Sequence, residues 1–206
     1  MHPNFITKFF QNFIKDKDIR TFKNNYYYYL FFRLIRNFLN CYLEVKIYNF
    51  KILASNTKNK ISHALLKKCR FDDQSELELI EKISKKNKIF LLDCGCNYGF
   101  YSFYTASLSS QNFVVAIEAS LNTVEDFKKN LNLNKFNNII LQNFAISDID
   151  NTTITFNESQ NDWESSLTHS EFDEKKITKI KTQKIDTIIK NQKINDYSLL
   201  IKLDIE

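Results

Sequence analysis

Only two glycines occur among the 206 residues, Gly95 and Gly99, and both fall in one stretch, IFLLDCGCNYGFY, residues 89–101. Glycine enters left-handed backbone without the steric cost that a Cβ imposes. A chain this poor in glycine has placed both where its backbone must turn tightly. Before them Ile89–Leu92 is a continuous apolar run, and from Phe100 onward a helix-length segment follows. Strand, glycine turn and helix in that order open a crevice at the carboxyl end of a parallel strand, where ligands bind in such sheets. Asn97 stands midway, and Asn tolerates left-handed backbone better than most residues. The glycines are therefore expected to let the chain turn and a ligand approach closely, with the helix N-terminus offering its N–H groups and dipole to an anionic group.

Three further apolar runs follow: Phe113–Ile117, Ile139–Leu141, and Leu199–Leu203, the last broken only by Lys202. Continuous runs suit strands buried on both faces of a parallel sheet. Helix-length segments lie between them, at 100–109 and at Leu121–Leu133, the latter with apolar residues at 121, 124, 127 and 131. The series is βαβ, and the class is α/β, a Rossmann-like parallel sheet with flanking helices. Residues 150–185 break the rhythm. Thr152–Phe156 and Ile177–Ile185 alternate like paired strands, around a polar loop that holds Trp163 and His169. Upstream, Ser75-Glu76-Leu77-Glu78 fits a capping box opening a helix over 75–86, with Lys85 and Lys86 suiting its last turn. Residues 42–54 alternate around Asn49 and predict a small hairpin. Residues 4–40 read as two helical pieces, the first with apolar residues at 5, 6, 9, 10, 13 and 14. The expected divisions are a basic aromatic helical segment at 1–41, a hairpin and lead-in at 42–71, and the α/β domain at 72–206.

The net charge of +5 is unevenly placed. Residues 1–40 carry seven basic groups against Asp16 and Asp18, and the remainder carries 22 of each sign. A neutral body argues against a surface that tracks nucleic-acid phosphates over the whole fold. The basic, aromatic segment at 4–40 is of a kind that lies in a membrane interface, or packs as a helix on the domain or on a partner. No run of about 18 uncharged apolar residues is present, so nothing is expected to span a bilayer, and the N-terminus lacks a signal-peptide pattern. Cys41, Cys69, Cys94 and Cys96 form no Cys-x-x-Cys pair, and with only three histidines no metal site is expected. Reduced thiols point to the cytoplasm.

Glu118 ends the second apolar run, 25 residues after Asp93. A carboxylate at that strand tip can accept hydrogen bonds from both ribose hydroxyls of an adenosine-bearing ligand. The alternative is a surface carboxylate capping the next helix. A nicotinamide fingerprint fails, because Asn97 and Phe100 stand where glycines are needed, and a P-loop fails because Phe100 follows Gly99. What remains is apolar-apolar-Asp-x-Gly-x-Asn-x-Gly. Taken with VVAIEAS, LNLNKFNNIILQNFAISD, IKTQKIDTII and LLIKLDIE, it resembles the FkbM family of class I S-adenosylmethionine-dependent methyltransferases over residues 72–206. Cys96 stands where that family has Ala, one small residue for another. The family pattern also continues with Gly and further elements where this sequence stops at Glu206, so a C-terminally truncated domain is expected.

The resemblance implies S-adenosylmethionine as cofactor and O-methylation of a hydroxyl on a sugar, polysaccharide or secondary metabolite. Gly95, Asn97 and Gly99 would form the turn under the methionine and ribose. Asp93 would orient the methionine ammonium, directly or through water, and Glu118 would hold the ribose. Asn143 to Ala145 would line the adenine side, with Phe144 either stacking there or serving the core. Asp204 and Glu206, at the tip of a strand beside the first, would face the methyl group, one of them as base toward the acceptor hydroxyl. Their alternative role is strand-end hydrogen bonding. The only proline is Pro3, so the Asn/Asp-Pro-Pro-aromatic motif of amino-group methyltransferases and the Pro-Cys nucleophile of cytosine-C5 enzymes are both absent. Two other readings stand beside this one: an RNA methyltransferase using the basic segment, and a non-catalytic cofactor-binding module.

Overall fold

The computed structural model describes residues 2–54, 60–158, 176–192 and 194–205. Two compact units divide at Gln74 and Ser75.

In the first unit, α1 (Phe5–Ile14) starts at Asn4, whose side-chain oxygen accepts from the Thr7 amide at 2.7 Å. In α2 (Tyr26–Ile35), Asn25 caps the Tyr28 amide in the same way at 3.0 Å. Such caps satisfy amides that the first turn leaves without helical partners. Each helix buries an aromatic stripe, Phe10 of one and Tyr28 and Phe32 of the other, with ring centroids about 6 Å apart. A short 3-10 turn, Ile19–Phe22, separates the helices and another, Arg36–Phe38, follows α2. The antiparallel hairpin of β1 (Leu43–Ile47) and β2 (Phe50–Ala54) buries alternate residues, as its sequence alternation requires. Its two-residue turn puts Tyr48 rather than Asn49 in left-handed backbone, at φ 52°. Tyr48 is braced there: its amide donates to Asp18 at 3.1 Å and the Arg20 guanidinium lies 3.8 Å from its ring centre. Helix α3 (Lys60–Lys68) follows.

The second unit runs α4 (Gln74–Ser84), β3 (Ile89–Cys94), α5 (Phe100–Leu108), β4 (Phe113–Ile117), α6 (Leu121–Asn134), β5 (Ile139–Gln142), β6 (Ala145–Ile146), β7 (Thr153–Glu158), β8 (Lys176–Gln183), α7 (Ile185–Lys190) and β9 (Ser198–Leu203). The capping box does not form as expected. Helix α4 begins one residue before Ser75, and the Ser75 hydroxyl donates to Glu76 inside the first turn. The main sheet has the order β5-β4-β3-β9, every pair parallel. This is the Rossmann-like arrangement, with β3 central and buried at every residue. On one face Phe90, Leu92, Cys94, Val115 and Ile117 pack with Phe144 and with Ile188 of α7. On the other face lie α5 and α6, joined by Phe103 and Phe127 with ring centroids 4.8 Å apart. Strands β7 and β8 pair antiparallel, as the alternation predicts, and with β6 form a second sheet.

Strand β9 departs from expectation. It lies at the edge of the sheet, and Leu199, Ile201 and Leu203 are exposed rather than buried. They stand in register with Phe90, Leu92 and Cys94, on the α7 face. Trp163, His169 and Glu206 lie outside the described residues.

Candidate active site at the carboxyl ends of the parallel strands

Three alternate residues of the β3–α5 turn take left-handed backbone: Gly95 at φ 72°, Asn97 at 50° and Gly99 at 84°. The turn is strapped to the end of β4. The amides of Gly95 and Cys96 both donate to the Ile117 carbonyl at 2.9 Å, and the Asn97 amide donates to Glu118 Oε2 at 3.0 Å. The Asn97 side chain accepts from the Tyr98 amide at 2.9 Å, which helps a non-glycine residue hold this conformation. Gly99 stands at the cap position of α5, where no side chain closes the helix N-terminus.

The space that a Cβ would need at each glycine is taken by the chain itself. A Cβ on Gly95 would lie 2.0 Å from the Asp204 carbonyl oxygen, and one on Gly99 would lie 2.5 Å from the Phe127 ring and 2.6 Å from that of Phe103. Gly95 thus lets the chain leaving β9 cross the turn, and Gly99 lets α5 and α6 close on each other.

Glu118, half-buried at the tip of β4, holds both of its oxygens in hydrogen bonds, Oε2 from Asn97 and Oε1 from the Ser120 amide at 2.9 Å. Burial pushes its carboxyl up from the ordinary range, and the amide hydrogen bonds from Ser120 and Asn97 pull partly back. The helix cap itself is Ser120, whose hydroxyl accepts from the Thr123 amide at 3.3 Å, and the two Glu118 oxygens keep further lone pairs for a ligand. Asn143 donates to the Glu118 and Ala119 carbonyls, at 2.8 and 3.1 Å, clamping the same loop from β5. Phe144 belongs to the core. Ala145 of β6 is buried in one cluster with Phe156 of β7 and Ile180 of β8.

Asp93 has no accessible surface. Ser102 of α5 donates to its Oδ2 at 2.7 Å, and Lys202 Nζ stands 3.5 Å from its Oδ1. The carboxylate expected to meet the methionine ammonium thus reaches the crevice only through the groups it holds. Lys202 also donates to the Gly95 carbonyl at 2.8 Å and lies 3.3 Å from Asp204 Oδ2. Burial works against the ammonium, but Asp93 and Asp204 outweigh it and the net shift is upward. Asp204 itself is exposed, beside the turn. Sequence reasoning passed over Lys202 and Ser102. The signal for Lys202 was present: one charge in an apolar run, two residues before an acid. Gln142 was passed over too; it ends β5 with its side-chain oxygen buried and matched by no donor among the described residues. The neighbouring thiols are inert by burial, which pushes Cys94 up to about 12 and Cys96 well above the ordinary range.

The carboxyl ends of β3, β4, β5 and β9 thus bring together a fixed carboxylate at one strand tip and a lysine-held aspartate at another. A family model described as the methyltransferase FkbM domain matches residues 93–206. No curated protein matches the chain. Among solved structures, it is similar to a putative transferase from Pyrococcus horikoshii, at 20% identity over 50% of this chain and 36% of that one, with a TM-score of 0.39. A putative caffeoyl-CoA O-methyltransferase from Staphylococcus aureus matches at 29% identity over 39% of this chain and 41% of that one, TM-score 0.33. TYW2 of M. jannaschii, in complex with AdoMet, matches at 19% identity over 50% and 43%, TM-score 0.37. In each case the chain spans less than half of the other protein's length.

Proposed function

Because this chain belongs to the FkbM methyltransferase family, we propose that it transfers the methyl group of S-adenosylmethionine to a hydroxyl oxygen on a sugar, polysaccharide or secondary metabolite. The observation that carries this reading is the family match over residues 93–206, which contains the whole crevice. The four cysteines are free thiols, in keeping with a protein of the cytoplasm.

The residues present fit such a donor. Glu118 offers lone pairs at a strand tip, and Gln142 offers a buried acceptor beside it that no donor among the described residues uses. When bound, S-adenosylmethionine supplies a methyl group on a sulfonium sulfur. Glu118 would accept from the ribose hydroxyls, and Gln142 and Asn143 would flank the adenine, whose amino group needs an acceptor. The turn at Gly95, Asn97 and Gly99 would support the ribose and methionine through its backbone. In-line transfer asks the protein for position and for removal of the acceptor proton. Asp204, exposed and held at 3.3 Å by Lys202, would take that proton, and Glu206 is its partner candidate.

Titration calorimetry of the folded chain with S-adenosylhomocysteine tests the donor half. Heat of binding with a dissociation constant on the order of micromolar, about −8 kcal/mol, is expected. A folded chain that releases no heat would count against the reading. Transfer of labelled methyl to hydroxyl-bearing glycans, lost in Asp204→Asn, tests the acceptor half.

A further inference from the structure

We propose that the first unit docks on a bilayer surface rich in anionic phospholipid, through the seam between α1 and α2. The proposal is independent of the methyl-transfer reading. Its ground is apolar surface that the unit's own core does not use. Phe10 and Phe32 are already buried between the helices, yet Phe5 is 82% exposed, Phe9 53%, Leu34 66% and Phe38 57%. Phe5 and Phe9 are one turn apart on α1, and Leu34 lies near the end of α2, four residues before Phe38. The Asn4 side chain donates to the Phe38 carbonyl at 2.6 Å, which sets the start of α1 beside the chain that leaves α2. The Phe9 ring meets that of Phe31 edge-on at 6.1 Å, one turn further along. The helices therefore run antiparallel, and Phe5 and Phe9 face outward next to Phe38 and Leu34. Tyr27, 80% exposed, continues the α2 side.

Charge selects lipid over an apolar protein partner. Residues 1–74 hold 14 basic and 5 acidic groups, a net +9, whereas residues 75–206 hold 15 and 19, a net −4. Lys8 and Arg33 are exposed on the same two helices. At the amino end of α2 an open cleft of about 510 Å³ is lined by Lys23, Tyr26, Tyr29, Lys67 and Arg70 among others, a setting for phosphate-bearing headgroups. Exposed Phe and Leu beside Lys and Arg are what an interfacial helix needs: apolar residues enter the acyl boundary while cations stay at headgroup level. Each helix has ten residues, so about 15 Å of length against a hydrocarbon layer of about 30 Å. They lie on the surface rather than cross it, and no helix among the described residues is long and apolar enough to span.

The test is co-sedimentation of the full chain with phosphatidylcholine vesicles, with and without phosphatidylglycerol. Binding to the anionic vesicles is expected, at least about tenfold tighter than to the zwitterionic ones. Phe5→Ser/Phe9→Ser/Leu34→Ser changes only exposed side chains, and should weaken binding about tenfold or more while the circular-dichroism spectrum stays native. Lys8→Glu/Arg33→Glu is the second variant and should remove most of the preference for phosphatidylglycerol. A wild-type chain that ignores anionic vesicles would overturn the proposal, as would variants that bind as tightly as wild type. A wild-type dimer that the triple variant turns into a monomer, with no vesicle binding by either, would assign the seam to a second copy instead.

Discussion

Glu118 accepts two backbone amides before any ligand arrives, so its carboxylate is fixed in place with its remaining lone pairs directed elsewhere. A ribose would meet an acceptor that pays little to be oriented. Glu118→Ala should weaken S-adenosylhomocysteine binding by roughly 1–3 kcal/mol, the loss of hydrogen bonds to a charged group. The pH dependence follows from the raised carboxyl. If the ribose is held by the ionised Glu118, affinity should be full above the raised midpoint and fall as pH drops through it, beginning above the ordinary value of 4.5. Calorimetry across that range should show the decline in wild type, and a flatter profile for Glu118→Ala. The place of Glu118 at a strand tip was legible in the sequence because it ends one apolar run. Gly95 was legible as a tight turn, but its packing contact was not. Its neighbour in space is the Asp204 carbonyl, and no local pattern announces a contact made across half the chain.

At the scale of elements, β3 and β4 were readable because strands buried on both faces carry continuous apolar runs, Ile89–Leu92 and Phe113–Ile117. Strand β9 carries the same kind of run and sits at an edge, since position in a sheet is set by pairing partners that a run of apolar residues does not encode. Lys202 interrupts that run for a reason visible only in register. It lies directly opposite Asp93, between a buried carboxylate, the Gly95 carbonyl and Asp204. Lys202→Met should cost about 3 kcal/mol, because it leaves the Asp93 charge buried without its cation. The expected readout is a lower denaturant midpoint in urea unfolding, and Asp93→Asn/Lys202→Met should recover part of the loss. Equal midpoints for wild type and Lys202→Met would show that Ser102 alone satisfies Asp93.

At the scale of the whole molecule, the two units carry opposite net charge, and the sequence displayed this as soon as the boundary at Gln74 was known. Without that boundary the surplus read as a property of residues 1–40 alone, because Lys67, Lys68 and Arg70 were averaged into a neutral remainder. The division of charge separates two salt responses. Raising ionic strength from about 0.05 to 0.5 M should release the protein from anionic vesicles while changing S-adenosylhomocysteine affinity little, since exposed charges are screened and Glu118 is not. Parallel losses in both assays would contradict this. The contact between Gly95 and Asp204 also has a meaning in time. Its two sides are made far apart during synthesis, with 107 residues separating Lys202 from the Gly95 carbonyl that it holds. While β9 is still inside the ribosome the turn has its glycines, its helix and its strap to β4, but not the strand that crosses it. Domains fold as units during synthesis, so the contacts of Lys202 with Asp93 and the Gly95 carbonyl are among the last that this sheet can make.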